Sequence, residues 1–194
     1  MGEVKIKKLK VAWGITGAGD KIQEIVETMK TLKEQYGDQV DFDVYISKNA
    51  DTMLKFYRLD DEVKRSFPKV FVEANANSPF LAGMVQSGKY EFLLIMPASS
   101  NTVAKIVNSI SDTLLTNAAL MALKAFVKVW IMPVDFKESI IYTKLPNGKD
   151  MKLRVRKEEA AQVRRLEATE DVRVFESPSG VAEAFSLWLR TAKT

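Results

Sequence analysis

Short apolar runs alternate with amphipathic stretches along most of the chain. Leu9 to Gly14 (LKVAWG) reads as a buried strand closed by a glycine turn. From about Asp20 to Tyr36, the apolar residues Ile22, Ile25, Val26, Met29, Leu32 and Tyr36 recur at helical spacing, the stripe of a helix with one buried face. Gly37 stands where a helix C-cap is expected. Val40, Phe42, Val44 and Ile46 then alternate with Asp41, Asp43 and Tyr45, a period-two strand ending at Ser47. A short polar helix is predicted from Asp60 to Phe67, stopped by Pro68, followed by a third strand over Lys69 to Glu73. Pro79 to Gln86 predicts another short helix. Phe92 to Met96 is continuously apolar, as expected of a strand covered on both faces of a parallel sheet. A helix opening at Pro97–Thr102 runs to about Ser109, and Asp112 starts another carried by Leu114, Leu115, Ala118, Ala119 and Ala122. Val127 to Met132 predicts the fifth strand, stopped by Pro133.

After Pro133 the rhythm changes. Ile140–Thr143 and Met151–Val155 flank Leu145-Pro-Asn-Gly-Lys149, and Asn147-Gly148 is a strong turn signal, so a β-hairpin is expected to project near 139–155. A helix near Glu158 to Glu167, a strand Val172 to Phe175 and a helix Ser179 to Arg190 complete the pattern. The alternation predicts an α/β fold: a single doubly wound parallel sheet of the Rossmann or flavodoxin-like type, with helices on both faces and the hairpin projecting from it. With no internal repeat, low-complexity tract or evident linker, residues 1–194 are expected to make one domain.

Composition narrows the chemistry. The chain is 46% hydrophobic and 28% charged, ordinary values for a globular protein. No apolar run approaches the roughly 20 residues needed to span a bilayer. The basic start lacks a hydrophobic signal core, so a cytoplasmic protein without a membrane partner is expected. There is neither cysteine nor histidine. Their absence removes disulfides, a thiolate nucleophile, iron–sulfur clusters, the Ser-His-Asp triad and nearly every catalytic zinc site. No metal ligand set and no catalytic side chain is therefore singled out, and demanding chemistry would fall to a bound cofactor. The net charge of +4 is too small an excess to imply nucleic acid. Its distribution is uneven: Lys5, Lys7, Lys8 and Lys10 crowd the start, and Lys149, Lys152, Arg154, Arg156, Lys157, Arg164 and Arg165 crowd a later stretch. That stretch is either a solvated surface or a docking face for an acidic partner.

Two loops stand out. Gly14-Ile-Thr-Gly-Ala-Gly19 lies between the first strand and first helix, where glycines let backbone amides approach an anion. Its spacing matches neither the dinucleotide fingerprint nor a Walker loop, and a plain strand–helix turn is the alternative. Asp20 would repel an anion if it faced inward, so it is expected to point outward as a cap. At the end of the second strand, where a NAD-binding fold places an acid for the ribose, this chain has Ser47-Lys48, which disfavours NAD and suits a phosphate. Pro97-Ala-Ser-Ser-Asn-Thr102 sets Ser99, Ser100, Asn101 and Thr102 at a helix start. They serve either as simple capping, by Ser99 or Ser100, or as contacts to a polar ligand. In a sheet of order 3-2-1-4-5 both loops follow the neighbouring strands one and four, and face each other across the crevice where the winding reverses.

Pro97-Ala-Ser-Ser-Asn-Thr102 closely resembles the Pro-Ala-Ser-Ala-Asn-Thr motif of the homo-oligomeric flavin-containing cysteine decarboxylase superfamily. Trp13-Gly-Ile-Thr-Gly-Ala-Gly-Asp20 resembles its FMN phosphate loop, and Ile110-Ser-Asp-Thr-Leu-Leu-Thr116 the turn and helix that follow the serine motif. With Leu145-Pro-Asn-Gly-Lys149, the likeness is greatest to the archaeal branch, the archaeoflavoproteins and dihydromethanopterin reductases. The resemblance implies an FMN cofactor, with Thr16, Gly17, Ala18 and Gly19 in the phosphate loop. Ser47 would bond the phosphate or ribityl chain, and Ala98, Ser99, Ser100, Asn101 and Thr102 would lie along ribityl, phosphate and flavin edge. Ser111 and Asp112 would shape a neighbouring subunit contact. It further implies a trimer-based homo-oligomer with sites near subunit interfaces. The chain departs from the decarboxylases in lacking their histidine and in carrying Pro133-Val-Asp-Phe136 where they hold the substrate carboxylate, so FMN-dependent decarboxylation is the alternative reading. The main expectation is an FMN redox protein that takes electrons from an acidic carrier such as ferredoxin and passes them to an acceptor such as dihydromethanopterin.

Overall fold

The computed structural model describes residues 8–145 and 147–192. Lys5 and Lys7 of the N-terminal basic cluster and Pro146 of the hairpin loop lie outside the described residues. In chain order the elements are β1 (Leu9–Ile15), α1 (Ile22–Tyr36), β2 (Val40–Ile46), α2 (Lys48–Phe56), α3 (Asp60–Ser66), β3 (Lys69–Val72), α4 (Leu81–Gln86) and β4 (Phe92–Ala98). They continue with α5 (Ser100–Val107), α6 (Leu114–Lys124), β5 (Lys128–Pro133), β6 (Ser139–Lys144), β7 (Asp150–Val155), α7 (Lys157–Glu167), β8 (Val172–Val174) and α8 (Pro178–Thr191).

Six strands form one sheet in the order β3-β2-β1-β4-β5-β8, and every pairing in it is parallel. The expected reversal of winding lies between β1 and β4, and β8 extends the predicted order by one strand. Parallel strands need crossovers, and the crossovers here put apolar stripes on both faces. α1, α2, α3 and α8 pack on one side through Ile25, Met29, Leu54, Val63 and Phe185. α4, α5, α6 and α7 pack on the other through Val85, Val103, Ala118 and Val163. β4 runs between the two layers with all of its residues buried, as its unbroken apolar sequence predicts. The hairpin β6–β7 pairs only with itself, in antiparallel register. Gly148 takes φ +82 in its turn, a left-handed conformation that favours glycine.

Three local expectations change. The alternation in β2 does not separate core from water, because Asp43 and Tyr45 are also buried. Their polar atoms are satisfied inside: Tyr90 donates to Asp43 Oδ2 at 2.8 Å, and the Tyr45 and Tyr90 hydroxyls lie 2.6 Å apart. The Lys69 and Lys89 ammonium groups each lie 3.8 Å from the Asp43 carboxylate. Burial pushes the Tyr45 phenol up to about 12. Second, Asp20 does not cap α1; Lys21 occupies the N-cap in a left-handed conformation and supplies no side-chain cap. Third, α2 fills a stretch that the pattern left unassigned. It is nine residues long, with Ala50, Met53 and Leu54 its buried residues, too short a stripe to read as periodicity. No helix of the described residues is long and apolar enough to cross a membrane.

Candidate functional site

The loops after β1 and β4 are bonded to each other at the reversal point. Thr16 is the staple: its hydroxyl donates to Pro97 O at 2.8 Å and accepts from the Ser99 amide at 2.9 Å, while its own amide donates to Pro97 O at 3.2 Å. One turn below, the Trp13 indole donates to Met96 O at 2.7 Å within the core. These bonds link chain segments more than 80 positions apart and fix how the serine-rich start of α5 faces the glycine loop.

Beside this seam lies a cleft of about 340 Å³, lined among others by Thr16, Gly17, Ser47, Asn49, Glu73, Ser99, Asn101, Thr102 and Asp112. Three helices start on it. Ser47 caps α2, its hydroxyl accepting from the Ala50 amide at 3.1 Å. Ser99 caps α5, accepting from the Thr102 amide at 3.3 Å, and its oxygen lies 3.1 Å from the Thr102 hydroxyl. Thr113 caps α6 in a reciprocal box with Thr116. The acids on the lining are engaged. Glu73 accepts from the Lys48 amide at 3.1 Å and the Leu114 amide at 2.8 Å, bridging the starts of α2 and α6. Asp112 pairs with Lys105 at 2.8 Å. What is left is a set of donors. The amides of Gly17, Asn49 and Asn101 have no acceptor among the described residues, nor do the exposed Asn49 and Asn101 carboxamides have partners there. Such a surface is suited to a phosphate and a polyol.

The predicted residues divide. Thr16, Gly17, Ser47, Ser99, Asn101, Thr102 and Asp112 come together on this cleft. Ala98 is buried at the end of β4, where its carbonyl accepts from the Val134 amide, and Ser111 is exposed. Ser100 turns away to donate to Asp135 at the end of β5. Ala18 is buried, and Gly19 lines a different cleft. Both loop glycines serve close packing: a Cβ on Gly17 would sit 2.6 Å from Asn49 Cβ, and one on Gly19 would sit 2.7 Å from the Tyr57 hydroxyl. Glu73 and Asn49 were not singled out by sequence reasoning. For Glu73 the available signal was an acid closing the strand Lys69–Val72, where helix starts of the next layers gather.

A family model described as Flavoprotein matches residues 2–177. An uncharacterized protein of Methanocaldococcus jannaschii is 45% identical over 173 residues, covering 89% of this chain and 92% of that protein. A dihydromethanopterin reductase (acceptor) of the same organism is 31% identical over an alignment of 239 residues, covering 92% of this chain and 96% of the reductase. Burkholderia xenovorans DmrB, a crystal structure in complex with FMN described as a cubic protein cage for redox transfer, superposes with a TM-score of 0.81. The two are 29% identical, with 96% of this chain and 98% of that one covered.

Proposed function

The chain belongs to the flavoprotein family, and from that premise we propose that it holds FMN in the cleft beside the Thr16 staple and works as a redox protein. It takes electrons from a carrier such as ferredoxin and passes them to an acceptor, with dihydromethanopterin the candidate. The observation that carries this reading is the staple itself. By bonding Pro97 O and the Ser99 amide, Thr16 holds the capped start of α5 opposite the glycine loop and the Ser47 cap. The donor set fits the cofactor: free amides and hydroxyls for a phosphate and ribityl chain, with the acids of the lining already neutralised by helix amides or Lys105. A cleft of about 340 Å³ lies at the small end of the range for cofactor sites.

Bound FMN supplies electron and hydride transfer. The chain's own residues bind and orient. The Ser47 hydroxyl, its oxygen accepting from Ala50, keeps a proton to donate into the cleft. The Asn49 and Asn101 carboxamides stand at the exposed rim, where they can reach a ligand's polar edge. Asp135, held against Ser100, places a negative charge at the outer side of the α5 start, which is unfavourable to a carboxylate substrate and favours the redox reading over decarboxylation. Ser111 and Ile110, exposed next to this rim, are where a neighbouring subunit of a trimer-based homo-oligomer closes the site. The cations of the hairpin and α7 form the face for an acidic carrier, in a cytoplasmic setting.

The test is spectroscopic. Purified protein should carry visible flavin absorbance, be reduced anaerobically by ferredoxin faster than by NADH or NADPH, and be reoxidised by a dihydropterin. A colourless protein that fails to take up added FMN, or one reduced only by nicotinamides, would sink the assignment.

A further inference from the structure

A second cleft, of about 500 Å³, opens on the far side of the glycine loop, between the start of α1, the link from α2 to α3, and the hairpin. Its lining holds three cations, Lys21, Arg58 and Lys144, and no carboxylate. Lys144 has an exposed partner across the hairpin, Asp150 at 3.6 Å. The side chains of Lys21 and Arg58, both exposed, make no hydrogen bond or ion pair among the described residues. Glu176 is close enough to sense Lys21, but its carboxylate pairs with Lys137 at 2.6 Å and is not part of the lining. A cleft that gathers three exposed cations and no carboxylate keeps a positive potential that draws an anion from solution. The cleft also carries an apolar wall: Phe56 is 69% exposed and stands beside Tyr57, whose hydroxyl donates to Lys144 O at 3.3 Å and so ties the hairpin over the opening. The turn end of the hairpin is thereby part of the site.

We infer that this cleft binds the phosphate of a small molecule that also carries a flat ring, with Arg58 and Lys21 holding the phosphate and Phe56 the ring. Gly19 lines this cleft while Thr16 and Gly17 line the first, so one short loop separates the two. On the redox reading, on which this role rests, the ligand is a phosphorylated electron donor or acceptor held next to the FMN site. The anion binding itself does not depend on that reading.

Calorimetric titration of FMN-saturated protein with inorganic pyrophosphate and, separately, with adenosine diphosphate tests the site. Both probes should bind. Arg58→Gln and Lys21→Gln should each weaken both by about tenfold. Phe56→Ala should weaken the adenosine diphosphate arm alone. The flavin absorbance of the same samples reports the first cleft, so loss of FMN and loss of pyrophosphate binding are read independently. Should Arg58→Gln fail to fold, Lys21→Gln on the other element carries the test. Absence of pyrophosphate binding, or unchanged binding in the two charge variants, overturns the site. Equal loss of both probes in Phe56→Ala overturns the assignment of the ring.

Discussion

The β1–β4 seam and the β6–β7 hairpin are both built from short strands, and they are held in different ways. At the seam, β4 is buried throughout, and the loop beyond it is bonded to β1 and its own loop by Trp13 and Thr16. The hairpin pairs with itself alone; Ile140 and Tyr142 are 55% and 71% exposed, and they share a face with their cross-strand partners Arg154 and Lys152. An isolated two-stranded ribbon is marginal in water. This one is anchored at its root, where Val155 is buried, and by the Tyr57 contact to Lys144. The contrast separates two kinds of surface. A ligand at the seam meets groups already fixed by intrachain bonds, so little ordering is required on binding. The hairpin offers apolar and basic side chains that the protomer itself leaves uncovered, the composition of a surface that meets something else.

The contrast breaks first at Glu73. Its carboxylate accepts from the starts of two helices, and it is buried. Glu73→Ala removes both charge-assisted bonds and should cost about 3 kcal/mol. That loss would be read as a lower denaturation midpoint, together with release of FMN as α2 and α6 loosen around the cleft. A variant with unchanged stability would mean the seam does not depend on that bridge.

Thr16→Val is expected to cost about 2 kcal/mol, because the Ser99 amide loses its acceptor in a half-buried setting. Thr16→Ser keeps the hydroxyl and should restore most of both stability and flavin retention. If valine retained FMN as tightly as threonine, the staple would be a packing detail and not the feature that forms the cleft.

Much of this was legible in the sequence, for reasons that can be traced residue by residue. Apolar runs such as Phe92–Met96 announce strands because a strand covered on both faces of a parallel sheet is mostly apolar, and the Ser-Ser-Asn-Thr run announces a helix start because those side chains satisfy its free amides. What stayed hidden depends on partners distant in the chain. The role of Thr16 is set by Pro97 and Ser99, that of Glu73 by the amides of Lys48 and Leu114, and the burial of Asp43 by Tyr90. No local window contains those pairs. Gly17 and Gly19 illustrate the same limit: their spacing suggested an anion loop, and the close approach of Asn49 and Tyr57, which also calls for glycine there, could not be read from it. α2 was missed because its short buried stripe offers too few turns for a period to emerge.

Alkaline titration sharpens the comparison within the buried layer. Burial raises the Tyr45 phenol from its ordinary value of 10 to about 12, and Tyr90 is raised further by burial and its bonds to Tyr45 and Asp43. The folded protein therefore keeps protons that the unfolded chain releases. This contribution to stability is complete below pH 10 and is lost as pH climbs toward 12. Phenolate absorbance from these two tyrosines should appear together with unfolding, and early ionisation without unfolding would contradict their burial.

The smallest effect is expected on the hairpin. Tyr142 meets Lys152 across the strands, with the ammonium 5.9 Å from the ring centroid, and is otherwise open to solvent. Such an exposed cation–π contact contributes little, so Tyr142→Ser should change unfolding free energy by no more than about 0.5 kcal/mol. Flavin absorbance should be retained, because Tyr142 lines neither cleft. The same variant should nevertheless change the sedimentation profile or the rate of reduction by ferredoxin, since this face is one the protomer leaves uncovered. A serine variant indistinguishable in stability, assembly and electron transfer would reduce the hairpin to a solvated ornament of the sheet, and a variant that lost several kcal/mol would show that the hairpin, like the seam, is held from within.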